Sequence, residues 1–345
     1  MRRGGLAMGF VDKHDDKGRI TSNSSQHASL SNDEANHAGS FLFKPFLTFD
    51  DQVEHLIEQG FSIDDRKSAV EALSSLNYYR LRGYWMTLDV SAEAGDMIPF
   101  RMVLDISMID DAFRLWLGSS IAPIELKLRT QFAYCLGENC GPDAHLHADN
   151  FRDEGAYRHS YSNYARECAR EKKNGVPYVI HNLHRYGELP IWSAVEVMSF
   201  GTLSSLYGNL INDGNLNPGS SKAVGDIARS FGVRPSIAKS WMQHLSMIRN
   251  ICGHHARFYS RVMKIRPKML RQDSQWASDK EFPTFLVIKR LYEHSWPERW
   301  AEMASELGRI VDRYPSVDLA PMGFPKTWRE VLGVPKTDGG NGEAA

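Results

Sequence analysis

At 345 residues the chain is long enough for one or two domains with a sizeable core, and 42% hydrophobic, 24% charged and 11% aromatic residues are the composition of an ordinary globular protein. No apolar stretch approaches the ~18–20 residues of a membrane-crossing helix. The opening MRRGGLAMGFVDKHDD lacks a secretory core, and four scattered cysteines are too few for a disulfide framework, so a cytoplasmic protein is expected.

Residues 1–40, rich in Ser, Asn, Gly, Asp and His, show no periodicity and read as a disordered arm, as does the tail 333–345. Between them, over 41–332, helical spacing dominates. Val53, Leu56 and Ile57 mark a first helix stopped near Gly60; Ala69, Val70, Leu73 and Leu76 mark a second, and Tyr78 to Trp85 a third. Val103, Ile106, Ile109, Phe113 and Leu117 continue past Gly118 through Ile124, Leu128 and Phe132. The stretch Gly137–Ser160 carries no periodicity and is expected as a long loop. Ile191, Val195 and Met198 predict a helix interrupted at Gly201, with Ser199 or Thr202 capping the next one through Leu203, Leu206 and Leu210. Ile237, Trp241, Leu245 and Ile248 form an apolar stripe on a helix spanning about 236–262, and helices at 285–292 and 300–311 follow. Alternating runs are scarce, so the expected fold is all-α: a helical bundle with additional helices.

The net charge of −1 gives no global reason to expect nucleic acid, but charge is local. Between Asp226 and Asp273 there is no acidic residue, while ten Lys and Arg occur, which is the kind of field that binds phosphates. This segment contains Arg249-Asn250-x-x-x-His254. Extrapolated along an ideal helix, Asn250, His254, Arg257 and Arg261 share one basic stripe, with Arg249 about 140° away from His254. Histidine exchanges protons near neutral pH and arginine offers phosphate a fixed cationic fork, a pairing suited to RNA transphosphorylation without a metal.

Four blocks occur in order: Asn77-Tyr-Tyr-Arg80-Leu-Arg82-Gly83-Tyr-Trp85, Glu125-Leu-Lys-Leu-Arg129, Pro190-Ile-Trp192-x-x-x-Glu196-x-x-Ser-Phe-Gly201, and Ile248-Arg-Asn-x-x-x-His-His-x-Arg257. In these the chain resembles abortive-infection proteins of the AbiD/AbiF type, within the HEPN ribonuclease superfamily. The resemblance covers roughly 44–265 and implies an endoribonuclease toxin of antiviral defence that cleaves single-stranded RNA, with Arg249, Asn250 and His254 catalytic. Some members of the family are associated with a small non-coding RNA, which makes such an RNA a candidate partner. Family members often carry Ala where this chain has Gly253.

Beside it, Arg257, Arg261, His255, Arg80 and Arg82 are candidate RNA-binding residues, although packing by aromatics explains Tyr78–Trp85 as well. Glu125 and Arg129 stand at i and i+4. Glu125, or less favourably Glu196, could orient Arg249 from a facing helix. One motif per chain, where such sites are composite, leads to the expectation of a homodimer. Cys135, Cys140, His145 and His147 echo a zinc site but lack a close Cys-x-x-Cys pair, so no metal and no other cofactor is expected. A non-catalytic RNA-binding or protein-interaction module is the alternative.

Overall fold

A computed structural model describes residues 44–88 and 97–335 of the protein. The expected arm over 1–40 lies outside the described residues, as do 336–345 of the expected tail. The helical body begins at Phe49. Among the described residues it is all-α as expected, apart from a two-residue parallel pairing of β1 (Phe61–Ser62) with β2 (Ile98–Pro99) and an isolated antiparallel bridge between Phe151 and Leu210.

The first three helices follow the predicted pattern closely: α1 (Phe49–Glu58), α2 (Arg66–Ser75) and α3 (Tyr78–Trp85). The starts of α2 and α3 have a physical reason. Asp65 accepts the Ser68 N–H at the head of α2, and Asn77 accepts the Tyr79 N–H at the head of α3. Gly60, with φ 90°, makes the turn after α1 that a Cβ would strain.

The organising element is α4 (Phe100–Cys140), whose 41 residues span about 60 Å. Val103, Ile106, Phe113, Leu117, Ile124, Leu128 and Phe132 are buried along it. Pro123 lies inside it and removes one ladder hydrogen bond. One turn before the proline, Ser119 and Ser120 hydroxyls donate to the Trp116 carbonyl, and Tyr292 donates to the Ser120 carbonyl at 2.9 Å. Polar side chains thus serve carbonyls next to that of Ser119, the one that Pro123 leaves without a helical donor.

The predicted loop over Gly137–Ser160 is much shorter. Helix α4 continues to Cys140, two short 3-10 turns follow, and α5 (Glu154–Lys173) starts at an Asp153 cap. Gly137 marks close packing rather than a break, since a Cβ there would come within 3.2 Å of Ile191. Helix α5 escaped the periodicity reading because its surface is mostly polar and its buried contacts are Tyr157, Ser160 and Tyr164. Next come α6 (Pro177–Tyr186), α7 (Ile191–Val197), α8 (Phe200–Asn209) and α9 (Pro218–Ser230). The break expected at Gly201 falls at Met198–Ser199 instead. The Ser199 hydroxyl caps α8 by accepting the Thr202 N–H, and Gly201 is helical. Helix α10 (Pro235–Gly253) packs on α4 and α8, and α11 (Phe282–Ser295), α12 (Pro297–Asp312) and α13 (Trp328–Leu332) close the body. Val334 is buried beyond α13, so the ordered body passes position 332.

No described helix is long and apolar enough to cross a membrane.

Candidate active site at the end of helix α10

Helix α10 opens with Pro235 in its first turn and buries Trp241, Leu245 and Ile248 of the predicted stripe together with Ala238 and Met242, while Ile237 is only partly buried. It ends at Gly253, well short of the expected 262. His254 is the C-cap (φ −98°, ψ 11°) and His255 takes the left-handed conformation at φ 52°. The Ala256 N–H bonds the Ile251 carbonyl at 3.0 Å and the His255 N–H bonds the Cys252 carbonyl at 3.2 Å. These two bonds are a Schellman closure, with a histidine where glycine is the usual occupant.

Beyond the turn the chain departs from the predicted stripe. Phe258 and Tyr259 plunge into the core, and Asp110 of α4 accepts both of their backbone N–H groups, at 3.1 and 2.6 Å. Asp110 also accepts the Tyr84 hydroxyl at 2.7 Å and pairs with Arg114. Burial holds its carboxyl above the usual range despite these partners. Arg257 and Arg261 therefore do not line up with Asn250 and His254. The Arg257 guanidinium donates to the Gly83 carbonyl of α3, while Arg261 donates from its side chain to the Arg257 carbonyl at 3.2 Å and from its backbone to Glu281. Arg80 also turns inward, donating to the His255 carbonyl at 2.6 Å. Three of the cations expected to hold RNA thus fasten the turn; Arg82 remains exposed on α3.

The other half of the site lies between α4 and α10. Arg249 is half exposed, and its Nε lies 3.7 Å from Oε2 of Glu125, which faces it from α4. Arg129 grips the other Glu125 oxygen and donates to the Val195 carbonyl and, at 2.7 Å, to the Met198 carbonyl at the end of α7. Those carbonyls have no helical donors of their own, so the arginine satisfies them while fixing the glutamate. Glu196 is different: it is exposed beside Tyr134 and Trp192, and among the described residues it has no ion pair. Gly253 shows where Arg249 reaches, because a Cβ there would sit 3.9 Å from its Nη1. The guanidinium thus lies over the last turn, one residue from His254. Asn250, His254 and His255 are exposed beside it. Burial pushes the neighbouring Cys252 thiol up to about 12, which leaves it a poor nucleophile at neutral pH.

Among the described residues no three His, Cys, Asp or Glu groups gather around a metal-sized site. His145 is buried edge-on against Tyr164, while His147 is exposed and contacts Asp143 at 2.9 Å.

Asp110 was not singled out from sequence, although an acid inside the apolar face of α4 was its visible signal.

The fold and site define an all-α protein that presents Arg-Asn-x-x-x-His at the surface where a helix stops. Residues 71–260 match the family described as Abi-like protein, more than half of the chain, and the protein belongs to that family. Membership points to abortive infection, a defence against phage. No curated protein and no solved structure matches the chain.

Proposed function

We propose that this protein is a metal-independent endoribonuclease of the HEPN type that cleaves single-stranded RNA during abortive infection. The observation that carries the reading is the Glu125–Arg249 contact across α4 and α10, which holds a guanidinium over the turn that displays His254. In the reaction, a base takes the proton of a 2′-hydroxyl, the 2′-oxygen attacks the adjacent phosphorus, and the 5′-oxygen leaves with a proton. His254 exchanges protons, Arg249 neutralises the extra charge on the phosphorane, and Asn250 hydrogen-bonds a phosphate oxygen. Base and acid are both needed and each chain carries one Arg-Asn-x-x-x-His, so the working unit is a homodimer with two histidines at one cleft.

His254→Ala and Arg249→Ala are expected to abolish cleavage with the fold intact. Wild-type cleavage should survive EDTA, leave 2′,3′-cyclic phosphate and 5′-hydroxyl ends, and fail on DNA or 2′-O-methyl RNA. Full activity of a folded His254→Ala protein refutes the assignment. RNA bound but never cut would instead mark a binding module.

A further inference from the structure

Helix α10 has a polar face of which the catalytic reading uses only the last residue, Asn250. Lys239, Gln243, Ser246 and Asn250 stand at i, i+4, i+7 and i+11, so they follow one side of the helix over about 16 Å. Gln243 and Ser246 form one wall of a cleft of about 790 Å³, whose other walls are α5 and the first turns of α8.

Three features of this cleft fit a phosphate chain. The N-terminus of the ten-residue helix α8 opens into it through Ser199, Gly201 and Thr202, bringing the positive end of a helix dipole. Ser204, 1% exposed, also lines the cleft, and its hydroxyl has no hydrogen-bond partner among the described residues. A buried hydroxyl left unpaired is costly unless something else satisfies it. Across from these, Arg166 donates to the neutral Asn163 and has no other side-chain partner among the described residues. The cleft is not purely cationic, since Glu167 lines it and pairs with Arg170 at 2.6 Å.

At the end of the face away from Asn250, burial pushes the Lys239 ammonium down, with repulsion from Arg152 and Lys268 adding to it. Among the described residues none of these three cations is paired with a carboxylate. Such crowding is relieved by an anion.

We infer that single-stranded RNA lies along this face, its backbone running from the Lys239 cluster through the α5–α8–α10 cleft to Asn250 and His254. The inference rests on the ribonuclease reading for its direction toward His254. The face accommodates roughly five stacked nucleotides at about 3.4 Å each. Ser204 and the α8 N-terminus take a phosphate oxygen, Arg166 and Lys239 neutralise the chain, and the strand reaches the site already positioned.

The test uses the full-length protein and a fluorescein-labelled, fully 2′-O-methylated 12-mer RNA, read by anisotropy at several salt concentrations. The double variant Arg166→Glu, Lys239→Glu is expected to lose at least tenfold in affinity near 0.15 M salt and to flatten the salt slope by about two. Ser204→Ala should weaken binding a few-fold without lowering the melting temperature, because no internal hydrogen bond is lost. Arg309→Glu, on α12, should bind as wild type. If wild type binds through the cleft yet does not cut unmodified RNA, the track stands and the ribonuclease reading falls. If wild type cuts RNA while the double variant binds and cuts equally well, the track is overturned. No binding by folded wild type overturns it as well.

Discussion

Arginine 249 is long, half exposed and flexible in principle, so what matters at the residue scale is how its guanidinium is held over one spot. The answer is a relay: carbonyls at the end of α7 hold Arg129, Arg129 holds Glu125, and Glu125 faces Arg249. Both intermediates are largely buried, with side chains 11% and 12% exposed, which limits screening by water and salt. Glu125→Gln keeps the shape and removes the charge. If Arg249 clamps the phosphorane, this variant should lose ~10–100-fold in turnover with KM and melting temperature little changed, because misplacement by an ångström is that expensive in rate. Unchanged turnover in single-turnover assays would mean that Glu125 serves packing alone.

Among the elements, the turn after α10 is the one most fully specified by contacts from elsewhere. Arg80 binds the carbonyl of the left-handed His255, Arg257 binds α3, and Asp110 gathers the N–H groups of Phe258 and Tyr259. Removing that carboxylate by Asp110→Ala leaves the buried Arg114 with Asp111 as its remaining carboxylate and strands the Tyr84 hydroxyl and two main-chain donors. A loss of about 3–5 kcal/mol is expected from urea unfolding. A change under 1 kcal/mol would show that the turn is held by apolar packing of Phe258 and Tyr259.

This turn is also where the sequence stopped being legible. Helix α10 and its buried stripe could be read from spacing, and Arg249, Asn250 and His254 from the hexapeptide. Periodicity, however, carried the helix on to 262, because an apolar and basic pattern looks the same whether it continues or folds back. The stop depends on a histidine accepting a glycine conformation, held by Arg80, which lies 175 residues away in sequence. Contacts of that range leave no local signature, and so Arg257 and Arg261 read as free surface cations when each is partly buried and tied to a backbone carbonyl. Helix α5 was missed for a related reason: its burial rests on three residues, two of them tyrosines.

For the whole molecule, buried titratable groups set a pH dependence with a definite sign. Burial pushes the Glu281 carboxyl from 4.5 up to about 8, and the His244 imidazole, held between the Ile265 carbonyl and the Thr284 hydroxyl, from 6.5 down to about 4. Between pH 4.5 and 8 the native chain keeps a proton on Glu281 that the unfolded chain has lost, so stability falls as pH rises. Between pH 4 and 6.5 the unfolded chain carries the extra proton on His244, so stability rises with pH. His145, likewise pushed down to about 4 by burial, adds to the His244 slope; the two histidines oppose Glu281 below pH 6.5, and of these groups only Glu281 contributes a slope from 6.5 to 8. Wild type is expected to lose about 2 kcal/mol over that interval, at ~1.4 kcal/mol per unit, and Glu281→Gln to lose much less. Equal slopes for the two proteins in urea titrations at pH 6.5 and 8 would assign the effect to other groups.

The proposed dimer is tested at the same scale. Co-expressing excess His254→Ala with wild type should reduce ribonuclease activity beyond simple dilution, through mixed dimers. An active monomer, measured by light scattering under assay conditions, would exclude the shared site.

Helix α4 also behaves as a ruler. Asp110, which seats the turn bearing His254, and Glu125, which faces Arg249, are fifteen residues apart on it: about 22 Å along the axis and ~60° around it. Substitutions on the outward face between these marks leave both readings of the ruler intact. A single-residue insertion or deletion there turns one mark by ~100° relative to the other and shifts it by ~1.5 Å, so Asp110 and Glu125 cannot both meet α10 and its turn. Length over 111–124 is therefore under a stricter constraint than identity: natural variation in this stretch should appear as replacements, and gaps should be excluded.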